Sequence, residues 1–323
     1  MVKIEDLLNA KSCEDIFENN EDSAKKLYRQ LAKTYHPDTN KDPKAEEAFR
    51  KLQTLFNEAK DKFAKGIWTE KDLIRLKTTN GKTISFKYNY QKSFELGIYY
   101  IGKNHILYLL DAKHEKYYNN AISMMKSIKY ADRNMQNEFS KLMPKLVSNY
   151  ISTDGKFIIV LEKDIKMISL SELIETSRNR ITDRHVAWMI SRLNNLNCFL
   201  SFNGIVHNGI NADNCFVDTE NHSISLYGGW WYARLEKEKM IGTTSAIFSV
   251  MPIKNKTEKI ALHSTDMESI RKLGKEILYN PTETPKSFLD WLEKGSSDDA
   301  FKEFNEWNQT LDKSYGERKF IKF

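Results

Sequence analysis

The chain has 323 residues, 40% of them apolar and 29% charged, with a net charge of +6. That composition fits a soluble globular protein of two domains, one modest and one larger. It contains no run of roughly 18 apolar residues, which excludes a spanning helix and makes a membrane partner unexpected. Met1-Val2-Lys3-Ile4-Glu5-Asp6 is acidic and amphipathic, unlike a secretory leader. Three scattered cysteines, Cys13, Cys198 and Cys215, form no C-x-x-C pair. Neither a disulfide framework nor a zinc ribbon is indicated, and three buried thiols in a reducing cytoplasm are expected. Met1 to Lys65 balances 13 basic against 13 acidic residues. The small downstream excess makes nucleic-acid binding unlikely.

From Ser23 to Tyr35 apolar residues fall at Leu27, Tyr28, Leu31, Ala32 and Tyr35, one face of a helix. Asp22 or Ser23 is the expected N-cap. Pro37, in His36-Pro37-Asp38, ends that helix because its ring forbids helical geometry before it. A second amphipathic helix is predicted from Lys44 to Ala64, with Phe49, Leu52, Phe56 and Ala59 on one side. Two helices joined by so short a loop pack antiparallel. Cys13 to Asn19 suits a short preceding helix. Lys65-Gly66-Ile67-Trp68 reads as the end of this unit.

Alternation predicts strands at Lys82–Tyr90, Ile98–Ile101, Ile106–Leu110, Val147–Ile151 and Phe157–Leu161. A helix is expected from about Ser123 to Leu142, and a turn at Asp154-Gly155. After about residue 165 the pattern turns helical, with a long helix from Asp183 to Phe202 and two short strands, Cys215–Asp218 and Ser223–Leu226.

The pattern A-x-x-L-Y-R-x-L-A-x-x-Y closed by His36-Pro37-Asp38, then F-x-x-L-x-x-x-F, resembles the J-domain of DnaJ-type co-chaperones over about Glu5 to Lys65. The resemblance implies an antiparallel helical hairpin. It also implies a partner, a DnaK-type (heat-shock 70 kDa) chaperone, whose ATP hydrolysis the domain stimulates. His36, Pro37 and Asp38 form the contacting corner. Lys25, Lys26, Arg29 and Lys33 supply a cationic face that can steer toward an acidic partner. Neither the Gly/Phe-rich segment nor the zinc module of DnaJ itself is present, so an unknown client protein is left to the larger domain.

Further on, Gly204-Ile205-Val206-His207-Asn208-Gly209 to Asn214, then Tyr227-Gly228-Gly229, resembles the core of protein kinases, G-I-V-H-R-D-L-K-P-x-N followed by D-F-G. The resemblance covers about Thr78 to Phe323. It implies an α+β bilobal fold, with an N-lobe over 83–164, a hinge at Glu162-Lys163-Asp164, a helical C-lobe over 165–323 and residues 67–82 as linker or first strand. Met251-Pro252 resembles the end of an activation segment, and Asp266 the aspartate of a buried C-lobe helix. Gly209 replaces the catalytic carboxylate and Tyr227 the metal-binding aspartate. The nearest match to V-A-I-K, Tyr117-Tyr118-Asn119-Asn120, has no lysine, and Gly97 and Gly102 do not make a phosphate loop. Phosphoryl transfer rests on positioning and charge neutralisation. A pseudokinase is therefore expected, without cofactor or metal. His207, Asp266 and Asn214 then hold the loop backbone, with a ligand site as the alternative for Asn214, and Trp230 and Trp231 pack between lobes, with an exposed aromatic hot spot for a partner as the alternative. The alternative is an atypical kinase or nucleotide-binding enzyme using Asp213, Asp218 and Glu138. The basic end, Arg318 to Phe323, suits either a docking tail or a segment packed through Phe320 and Phe323.

Overall fold

The computed structural model describes residues 2–66, 68, 72–317 and 321–323. Residues up to Lys77 together with Gly81–Asn89 form one compact unit. Thr78–Asn80 and the chain from Tyr90 onward form the other.

In the first unit a short helix, α1 (Ile4–Asn9), and a single 3-10 turn at Cys13–Asp15 precede α2 (Glu21–Thr34) and α3 (Ala45–Lys65). The helix expected over Cys13–Asn19 is thus only that turn. The cap of α2 is Asn20, not Asp22 or Ser23: its Oδ1 accepts from the Ser23 amide at 2.8 Å. The earlier start places Glu21 and Asp22 in the first turn, where acids complement the helix dipole. Tyr28 stacks on Phe56 at 4.0 Å, and His36 lies edge-on to Phe49 at 5.2 Å. One residue number rises as the other falls, so α2 and α3 run antiparallel. Leu7, Phe17, Leu31, Leu52 and Ala59 are buried between these elements. Gly66 ends α3 at φ 63°, a left-handed position that a side chain disfavours. Trp68 stacks on Phe63 at 4.4 Å, while Ile67 lies outside the described residues. The segment read as a linker carries β1 (Leu73–Lys77), paired antiparallel with β2 (Thr83–Lys87) as a separate two-stranded sheet. The lobe boundary drawn at residue 83 therefore moves to Tyr90.

The second unit opens with a five-stranded antiparallel sheet: β3 (Tyr90–Phe94), β4 (Gly97–Ile101), β5 (His105–Leu110), β6 (Lys145–Ile151) and β7 (Phe157–Glu162). Its order is β3-β4-β5-β7-β6. Gly97 faces the sheet backbone so closely that a Cβ there would lie 2.0 Å from the Leu109 carbonyl oxygen. Between β5 and β6 the single helix expected over 123–142 is two, α4 (Glu115–Lys126) and α5 (Arg133–Phe139). The break has a local cause: Asp132 caps α5, its Oδ1 accepting from the Met135 amide at 2.8 Å.

Beyond the sheet come β8 (Ile168–Ser169), α6 (Leu170–Ser177), α7 (Asp183–Phe202), β9 (Ile205–Val206), β10 (Cys215–Asp218), β11 (Ser223–Leu226) and β12 (Arg234–Leu235). Then follow α8 (Ser245–Val250), α9 (Ile253–Glu258), α10 (His263–Ile277), α11 (Lys286–Glu293) and α12 (Ala300–Tyr315). α7 begins where Thr182 Oγ1 accepts from the His185 amide. One continuous apolar core runs from the sheet through α7 to α10 and α12, with Trp230, Trp231 and Trp307 inside it. No helix among the described residues is long and apolar enough to cross a membrane. All three cysteines are buried.

Candidate functional site

Two places carry the residues singled out in the sequence. The first is the corner after α2. Here the Asn40 side-chain amide donates to the Thr34 carbonyl at 3.0 Å and closes the helix end. The amides of Thr39 and Asn40 both return to the His36 carbonyl, at 3.0 and 2.8 Å. The corner is thus a tight turn stiffened by Pro37. His36 Nδ1 accepts from the Asp38 amide at 3.2 Å and lies 3.5 Å from the Asp38 carboxylate. The His36 side chain is 44% exposed and that of Asp38 84%. Lys26, Arg29 and Lys33 are exposed at helical spacing on one face of α2. Lys25 is half-buried and pairs with Glu21 at 2.7 Å, so one of the four expected cations is neutralised within the helix.

The second place is the loop after β9. Asp266, on α10, accepts from the amides of His207 and Asn208 at 2.7 and 2.8 Å. Burial pushes its pKa up to about 7 against the pull of those two bonds. His207 is fully buried, edge-on to Trp230 at 5.2 Å, and burial holds its pKa down to about 4. Asn214 donates to the Gly209 carbonyl at 2.8 Å and pins the loop across itself. Gly209 could not simply regain a carboxylate, because a Cβ there would lie 3.0 Å from the Gly229 carbonyl oxygen and 3.1 Å from its Cα. Tyr227 is buried, its ring 5.3 Å from Phe216 and its hydroxyl directed to the Lys141 carbonyl at 3.4 Å. It packs and holds no charge toward the loop.

The acids offered for a rearranged site do not converge. Asp213 accepts from Lys92 at 2.7 Å and from the Tyr99 hydroxyl at 3.2 Å. Asp218 caps a turn through the amides of Glu220 and Asn221. Glu138 is exposed on α5. Among the described residues Cys13, Glu14 and Glu58 have metal-like spacing. The Lys62 ammonium already lies between the acids, 2.8 Å from Glu14 and 2.7 Å from Glu58.

Comparison with known proteins decides the first place. The DnaJ domain family matches residues 17–64. Residues 17–64 form a DnaJ domain. DnaJ homolog subfamily B member 5 of Homo sapiens is 40% identical over 62 residues, 19% of this chain and 18% of that protein. The Bos taurus counterpart is 39% identical over 64 residues, again 18% of its length. The similarity thus spans less than a fifth of these relatives. For the rest, the structure of vaccinia related kinase 3 matches with a TM-score of 0.51 at 15% identity, covering 77% of this chain and 93% of that one. The second unit therefore has an α+β protein-kinase-like fold.

In that fold the third sheet strand is β5, so Tyr117-Tyr118-Asn119-Asn120, which lies in α4, is not the counterpart of V-A-I-K. On β5 it is Tyr108 that turns inward, and a Cβ on Gly228 would meet its hydroxyl at 2.8 Å and Asn214 Oδ1 at 2.4 Å. Trp231 packs 5.0 Å from both Phe94 and Tyr108. Lys92 reaches from β3 to Asp213 and, at 3.4 Å, to Glu175 on α6. Tyr232 donates to Glu95, in the β3–β4 turn, at 2.5 Å. Of these roles only the packing of Trp231 was expected from sequence. The only signal was the density of aromatic residues around 94–108 and 227–232. Asn120 was read as part of a strand motif, yet it ties α4 to the segment after the degenerate D-F-G by donating to the carbonyls of Trp231 and Ala233 at 3.2 and 2.8 Å.

At the other end, Phe323 packs edge-on to His185 at 5.1 Å and under Arg180 at 5.2 Å. The Ile321 carbonyl meets His222 Nε2 at 2.7 Å. This favours the packed reading of that segment over a free tail, while 318–320 lie outside the described residues.

Proposed function

We propose that this protein is a co-chaperone that stimulates ATP hydrolysis by a DnaK-type chaperone, and that its kinase-like unit is a pseudokinase that binds a client or partner. The exposed His36-Pro37-Asp38 corner beside Lys26, Arg29 and Lys33 carries the first half of this reading. It offers a half-exposed imidazole, an exposed carboxylate 3.5 Å from that ring and three cations on a rigid scaffold, a set that suits an acidic docking face and gives orientation at modest affinity. The side chains packed around Gly228 support the second half. Tyr108 and Trp231 pack beside Gly228, and Lys92 and Tyr99 engage Asp213. Phosphoryl transfer would need a base, a metal ligand and a phosphate-binding cation where these stand.

The test is single-turnover ATP hydrolysis by a DnaK-type chaperone with the full chain added. Stimulation is expected, and His36→Gln should abolish it while leaving the melting temperature unchanged, since the ring is half exposed. Equal stimulation by both proteins, or none by the wild type, would reject the assignment.

A further inference from the structure

Between the degenerate D-F-G and α10, two short helices leave apolar side chains uncovered. Ile253, at the start of α9, is 79% exposed, the highest value among the large apolar residues left exposed, and Phe248 on α8 is 50% exposed. They belong to one patch. Lys256 lies one turn from Ile253 on α9, and its ammonium sits 5.3 Å over the Phe248 ring and 3.3 Å from the Ser249 carbonyl. Lys272 reaches the same helix, its ammonium 3.2 Å from the Ala246 carbonyl, although it also meets Glu276 at 3.5 Å. Lys254 is exposed beside Ile253. Carbonyl partners leave an ammonium its charge, so the apolar pair is bordered by cations.

The shape of the patch selects the occupant. A peptide anchor needs a concavity, and the cavity beside α8, lined by Ile247 and Leu273, holds only about 30 Å³. Ile253 and Phe248 protrude rather than line a hollow. Protruding apolar groups bordered by Lys254 and Lys256, with Glu258 exposed farther along α9, suit a deformable anionic surface, where apolar groups enter the headgroup boundary and the lysines remain among the phosphates. The geometry points to peripheral docking of the α8–α9 face on a bilayer rich in anionic lipid. This is a contact of the kinase-like unit and is independent of the co-chaperone reading.

Cosedimentation of the full chain with vesicles tests it, using phosphatidylcholine alone and phosphatidylcholine with about one third phosphatidylserine. Binding to the anionic vesicles should exceed binding to the neutral ones by about tenfold or more, and should fall steeply with added salt. Phe248→Ser with Ile253→Ser should abolish it, and Lys254→Glu should weaken it. Because all three native cysteines are buried, Ile253→Cys can carry a polarity-sensitive fluorophore at that one position. Its emission should shift to the blue on anionic vesicles, a readout that does not require the serine variant to fold. No binding, equal binding to both vesicles, or a label that stays in water would overturn the proposal. So would protection of the label by an acidic peptide but not by lipid.

Discussion

His207 and Asp266 are neighbours held by the same loop, yet burial moves their protons in opposite senses. His207 is depressed to about 4, so the stability it contributes is complete above its unfolded value of about 6.5 and is lost as pH falls through 4. Asp266 is raised to about 7, so its contribution is present at low pH and is lost as pH rises through 7. The two offset one another between those limits. Removing the imidazole should expose the remaining slope. In His207→Gln the unfolding free energy should rise relative to wild type on going from about pH 7 to about pH 4, by an amount on the order of 3 kcal/mol. Parallel melting curves for the two proteins across that range would refute this. At this scale the sequence was informative about which polar residues hold the loop, because the motif spacing located Asn214 and Asp266, whereas the His207 imidazole packs edge-on against Trp230. It was silent on Tyr108 and Lys92. Their roles depend on which strand faces the loop, and spacing along the chain does not carry that.

Among the elements, the DnaJ hairpin was legible because strong 3.6-residue periodicity and a proline stop coincide at one place. α1 was not read, since six residues hold too little periodicity to stand out. The α4–α5 break was missed because polar surface runs through it, although Asp132 carried the capping signal. Asn20 was passed over as a cap because acid and serine residues follow it closely. Its bond to the Ser23 amide predicts that Asn20→Ala lowers stability by about 1 kcal/mol. Leu52 is fully buried between the helices, and Leu52→Ala should cost about 2–5 kcal/mol. Chemical denaturation followed by far-ultraviolet dichroism measures both, and a loss at Asn20 as large as that at Leu52 would contradict the capping account. The β3–β4 turn shows the opposite limit. Its two strands were partly visible, but the grip of Tyr232 on Glu95 joins residues 137 positions apart.

For the whole molecule, a DnaJ domain and a kinase-like unit coexist in one chain. The break between them was placed slightly early, because β1 and β2 pair with each other and not with the five-stranded sheet. Gly209 and Tyr227 in place of two acids make a plain calorimetric prediction. ATP with Mg²⁺ or Mn²⁺ at a hundredfold excess over an ordinary micromolar dissociation constant would add about 2.7 kcal/mol by mass action, a shift of several degrees. No shift is expected here. A clear metal-dependent rise would return the atypical-enzyme alternative to first place.

Gly97 carries a lesson about how ancestry is inferred. No side chain fits there, because the Leu109 carbonyl oxygen occupies the space a methyl group would need. Substitution at this position should therefore fail for reasons of assembly alone, whether or not a nucleotide was ever held nearby. An invariant glycine in a hairpin of this kind would be weak testimony for a vanished ligand, since the neighbouring strand is sufficient to enforce it.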